Sequence, residues 1–354
     1  MDSNSFVQWL KQEGLFPIVE KYYACFKKVF HDCLKVDKEQ VMIIYDEGYP
    51  MRRCSALMAG CYVLAAKRLN IAYKLVKQEP KNTGDTANDL VIESLFQFPE
   101  KNVLVLCLSG KLGSMKQFGK SWRSYVSSNK HRFVSATGLR DLDTKYFRDL
   151  VKSVDLDYQT MQKRAKALKQ KIDYANECRI LTDKGTNLYV NIQGKQSIAN
   201  DAEYSKIGGN IPAGEVYFAP RGKRVEGTIV IDGTIRHAEG TLLVKKPVIL
   251  KVENGEIIDI KGEDEAKILE QSFEKYINQA KYPWGIKRIG EIGIGISEGA
   301  SLIPVTIVSE KVLGTAHVGI GSNAWFGGTI YAISHMDQVF KNPRIYLDNK
   351  KIDI

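Results

Sequence analysis

The sequence contains five histidines, and two of them, His317 and His335, stand in one glycine-rich stretch, "HVGIGSNAWFGGTIYAISHMD", which ends in His-x-Asp. Asp337 lies two residues after His335, so on an extended strand both side chains leave the same face and can approach one ion. Glu215 in "IPAGEVYFAP" and Glu291 in "RIGEIGIG" are lone carboxylates among apolar and glycine residues. A buried carboxylate is costly unless it is paired or coordinates a metal. Glu310 in "VSEKVLGTAH" either joins such a site or pairs with Lys311 at the surface. Taken singly, each histidine also reads as an ordinary buried imidazole with its hydrogen bonds satisfied. Taken together, two imidazoles with several carboxylates suit zinc, cobalt, manganese or iron(II), whereas an all-oxygen set would favour calcium or magnesium. If Glu215, Glu291, Glu310 and Asp337 all ionise at one place, two divalent ions neutralise them.

The elements that must position these residues follow from the pattern of apolar residues. "VDKEQVMIIYD" (36–46) predicts a buried strand, and "MRRCSALMAGCYVLAAKRLNIA" after it carries small and apolar residues at helical spacing. "YKLVK", "NVLVLCLSG", a helix over 121–127 and "RFVSATG" continue the alternation. Alternating strand and helix predict an α/β N-terminal domain, residues 1–178, with an open, mostly parallel sheet. A charged amphipathic helix over 155–175 leads to a boundary near 176–182. Beyond it, "RILTDKGTNLYVNIQG", "GEVYFAP", "VEGTIVIDGTIR" and "PVILKVENGEIIDIKG" are short alternating strands separated by glycine turns, followed by the helix "DEAKILEQSFEKYINQA". This predicts an α+β C-terminal domain, 179–354, rich in antiparallel strands and carrying the ligand-type residues. "GEIGIG" and "AHVGIG" share a G-I-G ending, as if one geometry were used twice.

Charge and cysteine content exclude several functions. Nearly all of the net charge of +10 comes from the first half, with 29 Lys and Arg against 20 Asp and Glu before Arg179 and 22 against 21 from Arg179 onward. No RNA-binding signature or zinc-finger spacing accompanies that excess, so it reads as a solvated basic face and not a nucleic-acid site. "LSGKLGS" lacks phosphate-loop spacing, and no G-x-G-x-x-G follows the first strand. The six cysteines form no C-x-x-C pair, and no apolar run is long enough to span a membrane. These features predict a cytoplasmic protein with reduced cysteines.

The blocks "NIPAGEVYFAP", "GEIGIG", "EKVLGTAHVGIG" and "SHMD", in that order, and "LKVDKEQVMIIYD" upstream, resemble the metal-dependent aminopeptidases of the aminopeptidase T type. The resemblance covers nearly the whole chain. It implies a metallo-aminopeptidase, a hydrolase that releases residues from peptides with a free N-terminus, working as a homodimer with two divalent ions per chain. The ligands it implies are Glu215, Glu291, Glu310, His317, His335 and Asp337. Two such ions activate a shared water, with Glu215 or Glu291 bridging and Glu310 the first choice of general base if it is not a ligand. Peptidases of this family carry an oxyanion-stabilising tyrosine soon after the Gly-Thr-x-His block. Here that neighbourhood reads Asn323, Ala324, Trp325, and the nearest tyrosine is Tyr331, which either takes the role or packs as a strand residue.

A second reading belongs to another reaction class. His317, His335 and Asp337 form the two-histidine, one-carboxylate set that holds non-haem iron(II) for oxygen chemistry, and ring-opening dioxygenases of dihydroxypyridines resemble the same family in this region. That reading needs one ion. A metal-binding protein without catalysis is a third reading.

Overall fold

Every residue of the "VMIIY" strand, Val41–Tyr45, is buried in the computed structural model, which describes residues 3–82, 84–119 and 121–354. Burial on both faces is what a continuous run of β-branched and apolar residues predicts for a central parallel strand. Among the described residues the sheet runs Tyr73–Lys77, Val41–Tyr45, Val103–Cys107, Arg132–Ala136 and Gly208–Asn210, with each neighbouring pair parallel. The helix Cys54–Arg68 carries four alanines and one glycine and is packed close to its neighbours. A Cβ at Gly60 would stand 2.8 Å from Val19 of the helix Phe16–Lys28. At the strand end in "YDEGYP", the buried carboxylate of Asp46 accepts from the amides of Gly48 and Ser109 and from the Ser55 hydroxyl. This aspartate organises the loops after the strands.

The chain forms two compact units, Met1–Tyr158 with Ala202–Ala213, and Gln159–Asp201 with Gly214–Ile354. The segment that returns to the first unit brings the fifth parallel strand, Gly208–Asn210. Its "GGN" has none of the alternation by which the other strands are legible.

Antiparallel pairing builds the second unit. One sheet orders Glu256–Lys261, Val248–Glu253, Val225–Ile231, Asn187–Asn191, Glu177–Leu181, Arg344–Leu347 and Lys350–Ile352. The other orders Gly240–Leu243, Thr234–His237, His335–Lys341, Thr315–Gly321, Ile289–Gly295, Glu215–Phe218 and Ile198–Asn200. The α/β region with a parallel sheet and the antiparallel region after it are thus the architecture the apolar periodicities predict. Among the described residues no helix is long and apolar enough to cross a membrane, and all six cysteines are free thiols.

Candidate metal centre

Four adjacent strands of the second sheet carry the ligand-type side chains, and their register explains the glycines. Gly319 pairs with Glu291 on one side and Asp337 on the other; Gly321 pairs with His335, Gly293 with His317, and Gly295 with Glu215. Each acidic or imidazole side chain therefore faces a glycine across the ladder. Because alternate residues share a face, "GEIGIG" and "AHVGIG" present glycines beside the functional groups and isoleucines or valine to the opposite side. A Cβ at Gly293 would lie 2.0 Å from His317 Nε2, and one at Gly319 would lie 2.7 Å from both Glu291 Cβ and His335 Cε1. The two glycines leave the volume into which the donor atoms converge.

Within that volume Glu215, Glu291 and His317 offer donor atoms within 4.8 Å of one another, and so do Glu291, His335 and Asp337. Glu291 belongs to both groups. Its Oε1 lies 3.3 Å from His317 Nε2 and its Oε2 lies 3.5 Å from His335 Nε2. Glu215 Oε2 is 3.6 Å from His317 Nε2, and Asp337 Oδ1 is 3.0 Å from His335 Nε2. His335 Nδ1 sits 2.8 Å from the Ser322 carbonyl oxygen, which anchors the ring and turns Nε2 to the carboxylates, as a partner behind a metal-ligating imidazole does. Glu215 Oε2 and His317 Nδ1 are buried and, among the described residues, have no hydrogen-bond partner. Donor set, convergence and glycine-lined volume fit a divalent transition-metal ion.

The titration of this cluster is what crowded, buried opposite charges dictate. Burial alone would lower both imidazoles, but Glu291, Glu215 and Asp337 outweigh it at His317, raising it to about 9. Asp337 and Glu291 do the same at His335, raising it to about 10. Burial pushes Glu291 up. Asp337 resists burial because the charges of His335, His317 and Lys311 hold it well below the ordinary carboxylate range.

Glu310 departs from the sequence expectation in its surroundings. It does pair with Lys311, but in the interior: Lys311 has no solvent exposure, and its ammonium donates to both Glu310 and Glu215. Burial raises the Glu310 carboxyl to about 8, against the pull of Lys311. Lys311 is the site residue that sequence reasoning missed. The signal was a Glu-Lys pair inside the otherwise apolar "TIVSEKVLGTAHVGIG".

Tyr331 stands 69% exposed and outside any strand. In the segment after the Gly-Thr-x-His block, Asn323 is a buried clamp. Its Nδ2 donates to the Gly290 carbonyl and its Oδ1 accepts from the Ile330 amide, both at 2.8 Å. Two residues on, Trp325 is half exposed, and its indole meets the His335 ring with centroids 4.8 Å apart at 72°.

The family model described as NicX, 2,5-dihydroxypyridine 5,6-dioxygenase, matches residues 21–353. The chain belongs to the NicX family. Two solved structures share the fold. A 2,5-dihydroxypyridine dioxygenase from Pseudomonas putida KT2440 superposes with a TM-score of 0.72 at 17% identity, over 95% of this chain and 96% of that one. Wild-type AmpT from Thermus thermophilus superposes with a TM-score of 0.61 at 13% identity, over 94% and 97%. No curated protein matches the sequence significantly. Membership in NicX overturns the expectation of a metallo-aminopeptidase: the family is one of ring-cleaving dioxygenases, oxidoreductases and not hydrolases or proteases. The likeness to AmpT is a likeness of fold, and strands that converge carboxylates and imidazoles position a metal without choosing its reaction.

Proposed function

We propose that this NicX-family chain is an iron(II)-dependent dioxygenase that opens a dihydroxypyridine ring. The match of the dioxygenase family model over residues 21–353 carries this reading. The grouping of His335 and Asp337 with Glu291, and of His317 with the same Glu291, beside glycines whose Cβ atoms would fill the space, supports it. His317, His335 and Asp337 would hold the ion, in the two-histidine, one-carboxylate manner that leaves positions open for substrate and dioxygen. Iron(II) held there would supply a redox relay through which the ring's own electrons reduce dioxygen. Both oxygen atoms enter the product as a ring carbon–carbon bond breaks, so no external reductant is required.

The chain's own residues supply orientation and proton handling. Glu291, buried between the two imidazoles, is placed to accept the proton of a ring hydroxyl as the substrate binds. The half-exposed Trp325 offers a flat apolar wall beside His335 for a planar ring. Asn323 fixes the start of the segment that carries this wall.

The test is anaerobic reconstitution with iron(II), followed by oxygen uptake on 2,5-dihydroxypyridine and its positional isomers, with isotopically labelled dioxygen and mass analysis of the product. Uptake of one dioxygen per ring opened, with both labelled atoms retained, is expected. Protein that holds its iron yet consumes no oxygen with any isomer would refute the reading.

A further inference from the structure

The metal-type residues form two overlapping groups of three donors, which on geometry alone would admit two ions with Glu291 shared between them. Among the described residues, the Lys311 ammonium hydrogen-bonds into only one group, although its charge also reaches Asp337. Its ammonium donates to Glu215, the carboxylate that distinguishes the first group from the second, and to Glu310 beside it. Lys311 is wholly buried, and the exposures of the Glu215 and Glu310 side chains are 7% and 12%. A fixed positive charge on a ligand carboxylate repels a second cation strongly in so dry a place, where screening by water and salt is weak. Among the described residues no ammonium is hydrogen-bonded to His335 or Asp337, and the anchored imidazole of His335 is aimed at the shared carboxylate.

We propose that Lys311 is a built-in cation that takes the place of a second metal ion, withdrawing Glu215 and Glu310 from coordination and restricting the centre to one ion. The assignment rests on reading this cluster as a metal centre and not on which ring is opened. It makes Lys311 a positioning residue that sets metal stoichiometry. It gives Glu215 a structural partner in place of a ligand role, and it accounts for Glu310 lying inside the protein with no ion of its own. A buried carboxylate pair without a counter-charge is costly, so removing the ammonium creates demand for a second cation at the same spot.

The experiment is metal binding to the full chain, read by elemental analysis after gel filtration and by the visible spectrum of bound cobalt(II). With cobalt(II) as probe, the wild-type chain is expected to hold one ion. Lys311→Met is expected to hold two, with the second equivalent raising its Tm, and the double variant K311M/E215Q is expected to return to one. Two ions in the wild type, or one in K311M at saturating cobalt(II), would overturn the proposal. Should K311M fail to fold, Glu215→Gln in the otherwise wild-type chain decides. Retention of one ion with affinity within about threefold is expected, and loss of the ion or a weakening of tenfold or more would assign Glu215 to the metal instead. Oxygen uptake is not read here. A chain that binds one ion but opens no ring therefore refutes the dioxygenase reading and leaves this inference standing.

Discussion

The indole of Trp325 meets the imidazole of His335 at 72° with their centroids 4.8 Å apart, although half of the tryptophan is exposed. Under the dioxygenase reading, this indole is the flat apolar wall offered to the substrate ring. Trp325→Ala is expected to raise KM about tenfold, the value of one lost aromatic contact, while Trp325→Phe recovers most of it and neither variant changes metal content. Steady-state kinetics beside elemental analysis checks this, and an unchanged KM in W325A would remove the tryptophan from substrate binding.

Gly293 is required by the ring across the ladder from it, since a Cβ there would stand 2.0 Å from His317 Nε2. Gly293→Ala is expected to fold but to bind cobalt(II) at least about tenfold more weakly, because one displaced ligand is worth an order of magnitude or more. The clash needs the imidazole, so G293A/H317A should be no less stable than H317A alone. A double variant that instead adds the full cost of both changes would place the strain elsewhere.

Asn323 ties the start of the strand Ile289–Gly295 to the segment before the strand His335–Lys341, through the Gly290 carbonyl and the Ile330 amide. Asn323→Ala strands both buried backbone groups, so a loss of about 1–3 kcal/mol in chemical denaturation is expected. Asn323→Asp should lose stability too, since it removes the donor to Gly290. Unfolding midpoints within error of wild type for both would show that the clamp is not needed.

The metal-free and metal-bound proteins should respond to pH in opposite directions. His317 and His335 are raised to about 9 and about 10 in the folded chain, above the ordinary imidazole value of about 6.5. Their stabilisation is therefore fully present below about pH 6.5 and is lost as pH rises through 9 and 10. Glu310, raised to about 8, acts in the same sense between its ordinary value and that one. Asp337 is depressed, and its contribution is lost only in acid. Metal binding requires neutral imidazoles, so affinity should climb with pH while the metal-free Tm falls. Thermal melts with and without cobalt(II) across neutral to mildly alkaline pH measure both, and a metal-free Tm that rises over this range would contradict the charge assignment.

Much of the fold was legible along the chain because both periodicities in it are local. "VMIIY" and "VLVLC" are apolar throughout and became central parallel strands, whereas "VILKVE" alternates and became Val248–Glu253 with every second residue buried. Gly208–Asn210 was not legible. Three residues without side-chain pattern join the parallel sheet only because distant strands leave an open edge beside Arg132–Ala136.

The candidate site divides in the same way. Residue type and period two already placed His335 with Asp337, and set Glu291 on a face with two glycines, since both follow from strand geometry within a few residues. What Glu310 and Lys311 do was open, because a Glu-Lys pair in sequence is the same letters whether it faces water or the interior. Tertiary structure decided it by bringing Glu215, 96 residues earlier, against the Lys311 ammonium and removing the water around all three. Burial turns a surface pair of little consequence into a fixed internal charge, and that depends on which strands lie side by side, which no single stretch of sequence contains.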